Sequence, residues 1–182
     1  MEPNSYNNPV GRKRRTSRRR FLKAVVVGSA GAILESRLWP IGALAAGHAD
    51  ALLLSCMDYR LVDMTERYMK RRGLRNKYDN VVLAGAALGA ITDKYPDWNK
   101  TFWEELELSI DLHHIQKVIL LDHRDCGAYK QLLGEDFARE PKKEREVHAA
   151  QLKRLRELIN ERYAQLEVET LLMSLTGAVE KI

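Results

Sequence analysis

The chain has 182 residues, 45% of them hydrophobic and 30% charged, with 11 Gly, 5 Pro and 2 Cys. That composition excludes a disordered or collagen-like chain, and two cysteines exclude a scaffold stapled by several disulfides. The formal charge of +5 points to nucleic acid only until its distribution is counted: residues 1–45 hold nine Lys/Arg and two acidic side chains, which leaves 21 basic and 23 acidic over residues 46–182. The positive excess belongs to the leader, so no nucleic-acid partner is expected.

The leader divides into a basic stretch ending Ser17-Arg18-Arg19-Arg20-Phe21-Leu22-Lys23, an apolar run from Ala24 to Leu34, and small residues around Ala43-Leu44-Ala45. Its apolar run is 11 residues long, against the roughly 20 that a membrane-spanning helix needs. The segment resembles a twin-arginine export signal, whose family pattern is Ser/Thr-Arg-Arg-x-Phe-Leu-Lys. That resemblance implies the twin-arginine translocation machinery as a partner and delivery of a folded chain to the periplasm or extracellular space. It also makes residues 1–45 a signal peptide and leader, and residues 46–182 a single α/β domain.

Ala51-Leu52-Leu53-Leu54-Ser55-Cys56 is a short apolar run of the kind expected of a strand buried on both faces. A helix is predicted from Leu61 to Arg72, with Leu61, Met64, Tyr68 and Met69 on one side and Gly73 where a C-terminal cap belongs. Val81–Ala84 reads as a second buried strand, ending in the small-residue turn Gly85-Ala86-Ala87-Leu88-Gly89. After Pro96 comes a helix over Lys100–His114, with Phe102, Leu106 and Ile110 on its buried face.

Lys117–Asp122 is the third strand, followed by a short helix over Gly127–Leu133 and a long one over Lys142–Tyr163, with Leu152, Leu155, Ile159 and Tyr163 at helical spacing. Val168–Leu175 returns to strand, and Gly177 leads into a last strand at Val179–Ile182. This order predicts an α/β fold: a mostly parallel central sheet of four to five strands flanked by helices on both faces. His113 and His114 are expected at the surface or capping a helix. His148 and the run Lys142–Glu146 are expected to be solvated.

In such a sheet, ligands gather beyond the carboxyl ends of the parallel strands. Both cysteines fall there, in Cys56-Met57-Asp58-Tyr59-Arg60 and in His123-Arg124-Asp125-Cys126-Gly127. Two thiolates and an imidazole suit Zn²⁺, and the plain alternative is a Cys56–Cys126 disulfide. Asp58 can reach the same point, and Arg60 can reach Asp58 as its charged partner.

These two motifs resemble those of the beta class of carbonic anhydrases, Cys-x-Asp-x-Arg after the first strand and His-x-x-Cys-Gly after the third. The resemblance covers roughly Leu52–Leu133 well and the C-terminal strand more loosely. It implies a fold like that of the class and one zinc per chain on Cys56, His123 and Cys126. It also implies reversible hydration of carbon dioxide to bicarbonate, with zinc-bound hydroxide as nucleophile and Asp58 and Arg60 as the catalytic dyad. Arg60 holds Asp58 off the metal, and in a closed form Asp58 becomes a fourth ligand. Tyr59, Gly85, Ala86, Ala87 and Gly127 are expected to shape the substrate pocket.

A homodimer or larger homo-oligomer is implied as well. The chain departs from the family pattern at Tyr59, where Ser is usual, at Asp122, where Gly is usual, and in the 84–88 turn, which lacks polar side chains. Hydrolysis of carbonyl sulfide or carbon disulfide on the same site therefore stays open, as does a non-catalytic exported zinc-binding protein.

Overall fold

The computed structural model describes residues 47–182; the leader and its export motif lie outside the described residues. Five strands form one sheet in the order β2-β1-β3-β4-β5. They are β1 (Ala51–Cys56), β2 (Tyr78–Leu83), β3 (Lys117–His123), β4 (Glu167–Met173) and β5 (Val179–Lys181). The first four run parallel, and β5 returns antiparallel against β4 through Met173↔Val179.

Strand side chains alternate between faces, and two cores follow. Leu52, Leu54, Val118 and Leu120 face α2 (Ala86–Ile91), α3 (Pro96–His113) and α5 (Pro141–Arg162). Leu53, Ile119, Leu121 and Leu171 face α1 (Val62–Arg71), which covers them with Met69 behind the turn residue Leu61. From α5, Leu152, Leu155 and Ile159 are fully buried, each contributing roughly 1.5–3 kcal/mol. The last helix in the description, α4 (Gly127–Leu133), starts immediately after Cys126.

Several boundaries differ from the sequence reading. Residues 86–91 form a helix where a small-residue turn over 85–89 is expected, so closely seated that a Cβ on Gly89 would run into the Ala84 carbonyl oxygen. α3 begins at Pro96 itself, whose missing N–H is no loss in the first helical turn. β2 is an edge strand, not a buried one: Val81 is covered but Val82 is 47% exposed.

Candidate metal centre

The centre is assembled where β1 and β3, adjacent and parallel, reach their carboxyl ends. Cys56 closes β1, His123 closes β3, and Cys126 stands at the start of α4. One ligand atom from each lies within 4.8 Å of the others. The thiols are 3.9 Å apart and free, far beyond the 2.05 Å of a disulfide. The disulfide alternative is thereby set aside.

The donor set fits a metal on its own evidence. The His123 Nδ1–H donates to the Arg124 carbonyl at 2.9 Å, which fixes the tautomer that leaves Nε2 as a lone pair. That Nε2 is buried and has no hydrogen-bond partner. A buried imidazole nitrogen pointing without a partner toward two thiols is the environment a cation satisfies.

Hydrogen bonding splits the two cysteines. Cys56 is drawn down to about 4 by the hydrogen bond from Cys126, with His123 and the Gly85 N–H (3.3 Å) adding to it against burial. Cys126 is pushed up by its bond to Cys56 and by burial. Burial depresses the His123 imidazole, but the Cys56 thiolate beside it outweighs this and the net shift is upward. The two thiols thus share one proton between them, which a bound cation would displace.

Asp58 caps the 3₁₀ turn Tyr59–Leu61 through the Arg60 N–H, 3.0 Å from Oδ1. The Arg60 side chain then clasps the same carboxylate, Nε at 3.0 Å from Oδ1 and Nη2 at 2.7 Å from Oδ2. This clasp holds the Asp58 carboxyl below the usual carboxylate range. Asp58 Oδ2 lies 3.8 Å from His123 Nε2, beside the metal position and directed to Arg60.

A cleft of about 630 Å³ opens over this point, walled by Met57, Tyr59, Ala84, Gly127, Ala128 and Gln131. Tyr59 and Gly127, expected to shape a substrate pocket, line this cleft. The turn does not: Ala86 and Ala87 are fully buried, the Gly85 N–H is turned to Cys56, and the Ala87 N–H is bonded to Asp122 Oδ1 at 3.0 Å. Those two N–H groups are spent inside the protein.

Three groups escaped the sequence reading. Asp125, in the left-handed region at φ 55°, accepts from Arg60 Nη1 at 2.8 Å and offers its carbonyl to Nη2 at 2.9 Å. Glu144 is buried, taking Arg124 Nη1 at 3.0 Å and the Asp125 N–H. His148 is buried too, its Nδ1 2.8 Å from Asp122 Oδ2. Neither Glu144 nor His148 is solvated, which corrects both expectations. A signal existed: counted back from Ile159, Leu155 and Leu152, the buried stripe of α5 continues through His148 to Glu144. His113 does end α3, as expected, and its Nδ1 lies 2.8 Å from Asp79 Oδ2.

Comparison with known proteins agrees with this architecture. The family described as "Putative carbonic anhydrase" matches residues 47–182. An uncharacterized protein of Rickettsia conorii (strain ATCC VR-613 / Malish 7) is 46% identical over 134 residues, covering 74% of this chain and 72% of that one. One from Rickettsia bellii (strain RML369-C) is 45% identical over 134 residues, covering 74% and 82%. Among solved structures, a mutant of the beta-carbonic anhydrase CafD of Aspergillus fumigatus is similar in fold, with a TM-score of 0.51 at 13% identity over 74% of this chain and 88% of that one. The chain belongs to this carbonic anhydrase family, and its fold is that of the beta class.

Proposed function

We propose that the protein is a zinc enzyme that hydrates carbon dioxide reversibly to bicarbonate and a proton. The observation that carries this reading is the convergence of Cys56 Sγ, His123 Nε2 and Cys126 Sγ beside a carboxylate clasped by Arg60, under an open cleft. Cys56, His123 and Cys126 would hold one zinc per chain; zinc bound there supplies a Lewis acid that makes water nucleophilic near neutral pH. Asp58 Oδ2 accepts an O–H of the attacking water and aims its lone pair at the substrate carbon. Arg60 keeps that carboxylate ionised and facing the cleft. Met57, Tyr59 and Ala128 line the approach to it.

Stopped-flow hydration by the full-length chain, with zinc content measured on the same sample, tests this reading. Rapid hydration by loaded protein is expected. A folded, loaded protein without hydration activity overturns it, and turnover of carbonyl sulfide or carbon disulfide by that sample would reassign the substrate.

Zinc affinity is expected to rise with pH, because the proton held between the two thiols must leave when a cation binds. Calorimetry in buffers of differing ionisation enthalpy checks this through the protons released. Asp125→Asn is expected to leave zinc affinity intact and lower kcat several-fold by loosening Arg60, a comparison that steady-state kinetics on loaded samples makes.

Export by the twin-arginine route belongs to the same reading, supported by Ser17-Arg18-Arg19-Arg20-Phe21-Leu22-Lys23. Replacing Arg18 and Arg19 with Lys is expected to retain the chain inside the cell, as fractionation would show. A homodimer is part of it too. Met57, Tyr59, Val62 and Val82 are 66%, 85%, 61% and 47% exposed next to the cleft and the edge strand β2, and a second copy would cover them. A monomer by light scattering at micromolar concentration would refute that.

A further inference from the structure

Behind the ligands lies a polar cluster that the proposed reaction does not use. The Asp122 side chain is completely buried at the end of β3. Its Oδ1 accepts the Ala87 N–H at 3.0 Å, and its Oδ2 accepts the Tyr129 hydroxyl and faces His148 Nδ1 at 2.8 Å. Tyr129 and His148 are themselves buried, their rings 3.8 Å apart. Burial holds the Tyr129 phenol well above its ordinary range, so its hydroxyl stays a donor.

Each donor comes from a different helix. Ala87 belongs to α2, Tyr129 to α4 and His148 to α5. Two of those helices, α2 and α4, are tied to the ligands in turn. The turn that opens α2 gives its Gly85 N–H to Cys56 Sγ. Asp122 is the residue before His123, and α4 begins directly after Cys126, which packs with Leu88 and Tyr129 in one buried cluster. One carboxyl group therefore ties together the three segments that bear the ligands or bond to them. A buried carboxyl costs a fold more than an apolar side chain of the same volume unless all its partners are in place. Here every partner is in place, and those on α2 and α4 also fix the setting of a ligand.

Resting on the metal reading above, we infer that Asp122 is the positioning residue of the metal centre, and that Tyr129 and His148 set its orientation. It touches neither metal position nor substrate; it acts by fixing the spacing and direction of Cys56, His123 and Cys126. Tyr129→Phe deletes one donor and keeps the ring, so packing survives. Asp122→Asn keeps the shape but turns an NH₂ toward groups that are themselves donors.

The test is zinc affinity by competition with a chromophoric chelator, together with the visible and near-ultraviolet spectrum of the Co²⁺-loaded full-length chain. Asp122→Asn is expected to weaken zinc binding about tenfold or more, within the range known for partners outside a metal's own ligands. Tyr129→Phe is expected to weaken it several-fold, and both variants to shift the thiolate-to-cobalt bands. Should Asp122→Asn fail to fold, Tyr129→Phe decides alone. Wild-type zinc affinity and an unchanged cobalt spectrum in the folded variants, whatever their thermal stability, would overturn the inference and leave the metal reading intact. A wild-type chain that takes up neither metal would overturn both.

Discussion

Cys126→Ser is expected to lose zinc during dialysis and to show no carbon dioxide hydration above background. Its hydroxyl, far less acidic than a thiol, offers a cation no anionic donor near neutral pH. The loss of affinity is expected to exceed about 100-fold, the upper end for residues that merely support a ligand. The fold should survive. Cys126 lies in a small satellite cluster with Leu88 and Tyr129, apart from both faces of the sheet. Metal analysis beside far-ultraviolet circular dichroism separates the two effects. A variant that keeps stoichiometric zinc would remove Cys126 from the ligand set.

The second large effect is expected at Asp58. Asp58→Asn should retain zinc and lose at least about 100-fold in kcat, the lower range for a group that handles a proton in the transition state. An Asn amide cannot accept from water with either of two equivalent oxygens, and it no longer pairs with Arg60 as an anion. Stability should barely change, because Arg60 is exposed and exposed ion pairs contribute about 0–1 kcal/mol. A kcat loss of that size is about 2.7 kcal/mol of barrier, so the two roles separate by magnitude. Zinc-loaded Asp58→Asn with unaltered kcat would exclude Asp58 from the chemistry.

The parts of the fold that local pattern determines were legible in the sequence. β1 and β3 are continuous apolar runs, and both emerged where expected, as did α4 over Gly127–Leu133. Cys56, His123 and Cys126 could be read because parallel strands deliver their C-terminal residues to one edge. Position within the sheet was not legible. Val81-Val82-Leu83 reads like any buried strand, and only the strand order makes it an edge. Small residues at 86–91 hide a helix, since Ala and Gly suit a tight turn as well as close packing. Asp122 and His148 are adjacent only after α5 packs on the sheet, and no local signal marks a carboxyl whose partners lie 7, 26 and 35 residues away on three different helices. The extended α5 stripe did mark Glu144 and His148 as inward-facing, against the prior that charged residues are solvated.

The two thiols of the centre are 70 residues apart in the chain, and the two apolar layers that bring β1 beside β3 contain none of the ligands except the edge of Cys56. An unfolded chain therefore offers only the local pair His123 and Cys126 and not the three-ligand set, unlike small zinc-dependent domains in which the ion is the core. On the metal reading, a cation would arrive at a scaffold already standing and leave one standing behind. Its hold on the native state follows mass action, about 2.7 kcal/mol when free metal is a hundred times the dissociation constant. Loading would then be reversible, set by the metal pool in which the chain completes its folding.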